Sequence, residues 1–148
     1  MIRPRPALLT IGYQNRTVDD LIAALRAARV KVLVDVRLTP MSRKAGLSKN
    51  GLAARLHEAG IDYVHLPALG NPRDNRDAYR RGDEAAVAKY RDVLRTPEGQ
   101  AALDQLVRMA RHRCVALMCF EHDAAECHRS LVADALVRAG TISQVVHL

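Results

Sequence analysis

Residues 119–129 gather two Cys, two His, two Glu, one Asp and one Arg in the stretch CFEHDAAECHR, directly after the apolar run VALM. Side chains of these types can attack as a thiolate, move protons through Glu or His, or ligate a metal. Cys127, and after it Cys119, is the candidate nucleophile. Asp123 with Glu126 predicts a capped helix from about Asp123 to Arg138, which puts Cys127 and His128 in its first turns. Free backbone amides and the helix dipole there favour anions and lower a thiol's pKa, and Arg129 adds a fixed positive charge. The same spacing has a plain reading. Positions 127, 128, 131, 132, 135 and 136 are Cys, His, Leu, Val, Ala and Leu, one face that could be a core stripe.

Metal ligation has weaker support in the spacing. Structural zinc sites use closely spaced Cys pairs, and the seven residues between Cys119 and Cys127 do not make one. His122 and His128 do not change that, and a ligand set would have to be assembled by folding, from Cys119, Cys127 and His65. A disulfide between Cys119 and Cys127 is geometrically open but runs against the reduced thiols expected of a cytoplasmic chain with three Cys. No cofactor is assigned: LGNPRDN lacks the Gly-Lys-Ser/Thr ending of a P-loop, and no dinucleotide fingerprint follows the first strand. A thiol-phosphatase loop is excluded, since neither Cys is followed by Arg at the required distance.

The elements that must position these residues alternate in type. ALLTIG, KVLVDV, IDYVHL, CVALMC and ISQVVHL read as five strands, the middle ones Val-rich and fit for burial on both faces. Between them lie a helix capped by Thr17 and Asp20, a helix stopped by Gly60, and two helices over about 84–95 and 97–112 divided at Thr96-Pro97. The stretch 67–83, crowded with Gly, Pro, Asn and Asp, reads as a loop. This alternation predicts one α/β domain over 1–148: a three-layer, Rossmann-like sandwich around a mostly parallel five-stranded sheet, with strand order 3-2-1-4-5 by analogy.

Ligands of such sheets sit beyond the carboxyl ends of the strands. Strand one is followed by Tyr13, Asn15 and Arg16; strand two ends at Asp35 and leads to Arg37 and Arg43. Strand three ends at His65, and strand four at Cys119 ahead of Glu121, Cys127, His128 and Arg129. The amino ends carry nothing comparable. Each residue also has a structural role open to it: Asp35 could serve loop amides, His65 could satisfy a core carbonyl, Cys114 could be a small core hydrophobe, and Arg43 could be solvated.

Composition bounds the partner. The net charge is +7, and nineteen of the twenty-three basic residues are Arg, a group that grips phosphate or carboxylate in a bidentate fork. Four Tyr, one Phe and no Trp leave little for stacking bases, and no run approaches the roughly 20 apolar residues of a membrane span. The basic residues before ALLTI lack a signal-peptide cleavage pattern.

Four segments in order, TIGYQNR, DVRLTPMSR, GIDYVHLPALGN and CFEHDAAECHRSLVADAL, resemble the family called domain of unknown function 488, over about residues 8–139. The resemblance implies a compact α/β domain and carries no settled activity. Two departures stand out: KAGLSK replaces a Phe common after the Ser-Arg pair, and Ala124 stands where Pro is frequent.

The residues together predict an anion-binding cleft at the strand ends. In the enzyme reading, the chain hydrolyses or transfers a group on a phosphate-bearing small molecule or nucleic acid. Tyr13, Asn15, Arg16, Arg37, Arg43, His128 and Arg129 bind the substrate; Asp35, His65, Glu121, Cys119 and Cys127 supply catalytic groups. The alternatives are a non-catalytic nucleotide- or nucleic-acid-binding module, a metal-binding protein, and an inert scaffold.

Overall fold

The computed structural model describes residues 5–148. Of the basic residues before β1, Arg3 lies outside the described part. β1 (Ala7–Gly12), β2 (Val32–Asp35), β3 (Asp62–His65), β4 (Val115–Cys119) and β5 (Gln144–His147) form one sheet in which every pairing is parallel. α1 (Val18–Ala27) and α2 (Lys49–Glu58) pack on one face. α3 (Arg76–Arg80), α4 (Glu84–Arg95), α5 (Pro97–Ala110) and α6 (Arg129–Arg138) supply the other layer. None of the described helices is long and apolar enough to cross a membrane.

Local signals set most boundaries. Thr17 and Asp20 form the capping box of α1, and Thr96 caps α5 with Pro97 in its first turn. Gly60, at φ 76°, takes the left-handed turn after α2 that a side chain would resist.

The sheet order is β3-β2-β4-β1-β5, which corrects the 3-2-1-4-5 expected by analogy. β4 and β1 exchange places, and burial explains why. All five residues of β4 are buried and none is polar beyond its terminal thiol. The position between β2 and β1 covers both its faces and both its edges. β1 carries Thr10, whose hydroxyl bonds the His147 ring of the edge strand β5. β3 and β5, half-exposed, form the rims.

Two other expectations change. The final helix opens at Arg129, not Asp123, because Asp123 caps a separate 3₁₀ turn over Ala124–Glu126. The stretch 67–83 holds two 3₁₀ turns and α3.

The sheet divides the core by side-chain parity. Val115, Leu117 and Cys119 face the layer of α4, α5 and α6, whereas Ala116 and Met118 face α1 and α2. Register then aligns the carboxyl ends: Gly12 lies opposite Cys119, and Asp35 lies between Met118 and His65.

Candidate functional site

A cavity of about 70 Å³ opens at the carboxyl ends of β1, β2 and β4. Its walls come from Tyr13, Arg37, Cys119, Glu121 and His128 at the strand ends and from Arg76, Tyr79 and Arg80 of α3. Thr39, Met41 and Arg76 also border a wider groove of about 440 Å³, completed by Ser42, Arg43 and Arg73. The inner space is small and the outer groove several times larger.

On the α1/α2 face, Asp35 is fully buried and Arg37 nearly so. The Asp35 carboxylate accepts from the Arg37 backbone amide at 3.0 Å, from its Nε at 2.9 and 3.1 Å, and from its Nη2 at 2.7 Å. The Tyr63 hydroxyl donates to Oδ2 at 2.6 Å. Arg37 spends Nη1 on the Leu47 carbonyl at 2.7 Å and the Tyr13 hydroxyl at 3.3 Å. Burial together with the Asp35 carboxylate pushes the Tyr63 hydroxyl's pKa far up, and Asp35 holds Arg37 as a cation against the cost of its own burial. Every polar atom of this network has a partner, so Asp35 has no lone pair left for a substrate proton.

The opposite face is built differently. Cys119 and Cys127 are joined as a disulfide, against the reduced thiols expected from the sequence, with Cα atoms 7.2 Å apart. His128 Nδ1 lies 3.9 Å from each sulfur. Its Nε2 sits 2.8 Å from the Val36 carbonyl, which can only accept, so Nε2 carries the proton and Nδ1 presents a lone pair. Tyr90 packs edge-on against the ring at 5.1 Å and anchors its own hydroxyl on the Leu69 carbonyl. Burial drops the His128 pKa to about 4, which keeps the imidazole neutral at physiological pH. The Arg129 amide approaches Cys127 Sγ at 3.5 Å, so the sulfur stands just ahead of α6 and against its first amides.

Glu121 ties α3 to the end of β4. Arg80 Nε donates to Oε1 at 2.9 Å, and Oε2 lies 3.0 Å from Cys119 Sγ. Its backbone is pinned as well. A Cβ at position 12 would fall 1.8 Å from the Glu121 carbonyl oxygen, so only Gly allows the end of β1 to approach this loop. Arg129, fully buried, donates Nη1 to the Glu121 carbonyl at 2.6 Å and Nη2 to the His122 carbonyl at 3.2 Å; its Nε has no partner among the described residues. Burial lowers the pKa of Arg129 to about 10, still high enough to stay charged.

The rim therefore sorts the residues singled out from the sequence. Tyr13, Arg37, Cys119, Glu121 and His128 line the cavity, and Arg43 lines the adjoining groove. Asn15 and Arg16 border a separate depression, with Arg16 Nη1 bonded to the Gly12 carbonyl at 2.7 Å. Asp35, His65, Cys127 and Arg129 are not on the cavity wall: His65 Nε2 bonds the Arg37 carbonyl at 2.7 Å, and Arg129 braces the loop after β4. Arg76 and Arg80 were missed. Their spacing with Arg73, three and then four residues, is helical, but the surrounding Pro, Asn and Gly hide a helix only five residues long. Arg76 spends only Nε, on the Asn71 carbonyl at 3.3 Å, and Arg43, Arg73 and Arg76 enter no ion pair among the described residues.

Comparison with curated proteins and with solved structures finds no match. A family profile described as "Domain of unknown function DUF488" matches residues 17–136, leaving the TIGYQNR segment just outside, and with four fifths of its length so matched the chain belongs to that family.

Proposed function

We propose that the chain is an enzyme that hydrolyses or transfers a group on a phosphate-bearing substrate in the cleft at the strand ends. One observation carries the reading: of the two carboxylates that line the small cavity, Glu121 and Glu126, Glu121 is buried and held by Arg80, with Arg76 beside them on the wall. Among the described residues the terminal nitrogens of Arg76 have no partner, and Arg43 and Arg73 extend the same cationic wall outward. A phosphoryl group fits the inner cavity between these guanidinium groups. Glu121, ion-paired with Arg80, takes the proton from the attacking nucleophile.

That nucleophile is water, or the hydroxyl of an acceptor molecule. Cys127 is 1% exposed and lies behind the wall, so direct attack by its thiol does not fit this geometry. Cys119 reaches the wall but is held among Cys127, His128 and Glu121. A cytoplasmic setting belongs to the same proposal.

The test is turnover of the full-length chain on a panel of nucleotides, sugar phosphates and short oligonucleotides, read by phosphorus NMR. Conversion of at least one class, with Arg76→Ala raising KM more than it lowers kcat, is expected. Tight binding without turnover across the panel would replace the enzyme by its alternative. That alternative, a nucleic-acid-binding module, draws on the open groove of Arg43, Arg73 and Arg76, which suits several successive phosphates.

A further inference from the structure

We propose that Cys119, Cys127 and His128 bind a divalent transition-metal ion of the zinc class, with a fourth coordination position open to the cleft beside Glu121. This inference does not rest on the phosphate reading, since it follows from donor atoms alone.

The two sulfurs and His128 Nδ1 lie within 4.8 Å of one another, and all three residues are buried. Two thiols and an imidazole are the donor set that zinc and cobalt prefer over magnesium or calcium. Tetrahedral bonds of about 2.3 Å to sulfur and 2.0–2.1 Å to nitrogen imply a sulfur–nitrogen separation of about 3.6 Å. Both separations are 3.9 Å here.

The histidine is oriented as a ligand would be. Its far nitrogen donates to the Val36 carbonyl, which fixes the tautomer and aims the Nδ1 lone pair at the sulfurs. Metal-bound imidazoles are held in this way by a carbonyl or carboxylate on the other nitrogen. A residue that merely filled the core would need no such lone pair facing two sulfurs, and among the described residues no donor closer than these sulfurs satisfies it.

The two sulfurs are bonded to each other here, so the metal-holding form is the reduced one, in which a cellular thiol reductant has cleaved that bond and itself been oxidised to a disulfide. Disulfides usually hold their Cα atoms about 4.4–6.8 Å apart. Cys119 and Cys127 hold theirs at 7.2 Å, one at the end of β4 and the other in the turn before α6. Metal binding would deprotonate each thiol, releasing two protons to solvent.

Access is one-sided. Cys119 and His128 line the cavity, whereas Cys127 sits behind it, so the remaining corner of the tetrahedron faces the cleft. Glu121 Oε2, 3.0 Å from Cys119 Sγ, borders that corner. Three protein ligands with an open position are the pattern of a catalytic rather than a structural zinc site. Water there would stand within reach of Glu121.

The experiment takes the full chain, produced with added zinc and purified with a non-chelating reductant, and measures metal content by mass spectrometry. Cobalt substitution then reports the ligands through thiolate-to-cobalt absorption. About one equivalent per chain is expected, lost in Cys127→Ser and His128→Gln and kept in Cys114→Ser. Because the first two variants could misfold, the wild-type chain supplies an independent reading. Chelator should expose two additional thiols to a disulfide reagent, and zinc should protect them again. Absence of any metal equivalent from the reduced wild-type chain would overturn the proposal. So would re-oxidation to a Cys119–Cys127 disulfide that no zinc competes with.

Discussion

The two sides of the sheet treat their polar residues in opposite ways at the same rim. Toward α1 and α2, Asp35, Arg37, Tyr63 and Tyr13 close a network in which the Asp35 carboxylate is filled by the donors of Arg37 and Tyr63 and Arg37 also reaches the Tyr13 hydroxyl. Toward α4 and α6, two sulfurs, a neutral imidazole and the Glu121 carboxylate meet only through contacts to sulfur and to Arg80, and the buried Nε of Arg129 has no partner among the described residues. Buried polar groups normally satisfy one another, because each unpaired one costs roughly 1–3 kcal/mol. A saturated cluster is therefore explained by stability, whereas an unsaturated one calls for a ligand or a reaction. The difference teaches that polar residues at a strand end are not equivalent signs of function.

This contrast can be broken by exchanging the expected effects. Asp35→Ala should cost about 3–5 kcal/mol of unfolding free energy, because it strands the buried Arg37 guanidinium. Denaturant melts measure it, and a loss below about 1 kcal/mol would mean the network is not what holds that side. Glu121→Gln should lower turnover about 10²–10⁴-fold, the usual worth of a general acid–base group. Its urea midpoint should move far less than that of Asp35→Ala, and equal losses of stability would erase the distinction.

Tyr63→Phe removes one hydrogen bond to a buried carboxylate and should cost about 1.5 kcal/mol, with turnover unchanged. The smallest effect on the fold belongs to Arg73→Ala, exposed and without an ion pair, which should stay within about 0.5 kcal/mol of the parent. If nucleic acid occupies the outer groove, the same change lowers the salt dependence of its binding by about one unit of slope. A stability loss at Arg73 without any change in binding would sharpen the comparison in the other direction, making the groove structural.

The alternation of strands and helices was legible because apolar runs and caps are local properties. VALMC could be recognised as a buried strand, but not that it sits between β2 and β1, since parallel partners are chosen by distant segments. The concentration of Cys, Glu and His after β4 also stood out. Which His joins the thiols did not: His65 and His128 both follow from strand-end logic, and only the fold turns His65 to a carbonyl and His128 to the sulfurs. Arg129 misled for a physical reason. An Arg near a helix start reads as a grip for anions, yet its guanidinium is consumed by two backbone carbonyls of the preceding loop. Arg76 and Arg80 were hidden by the opposite problem, a helix too short to show periodicity.

The central placement of β4 has a consequence for how much change this chain can absorb. A one-residue slip in that strand would exchange Met118 for Cys119 and aim an inert thioether where the thiol belongs. Hydrogen bonds from two neighbours clamp β4 against such sliding, while β3 and β5 are clamped by one each. Insertions at either border of the sheet can spread into solvent. A single added residue in the middle would carry Cys119 away from its companions and turn the buried side chains of β4 to the opposite faces.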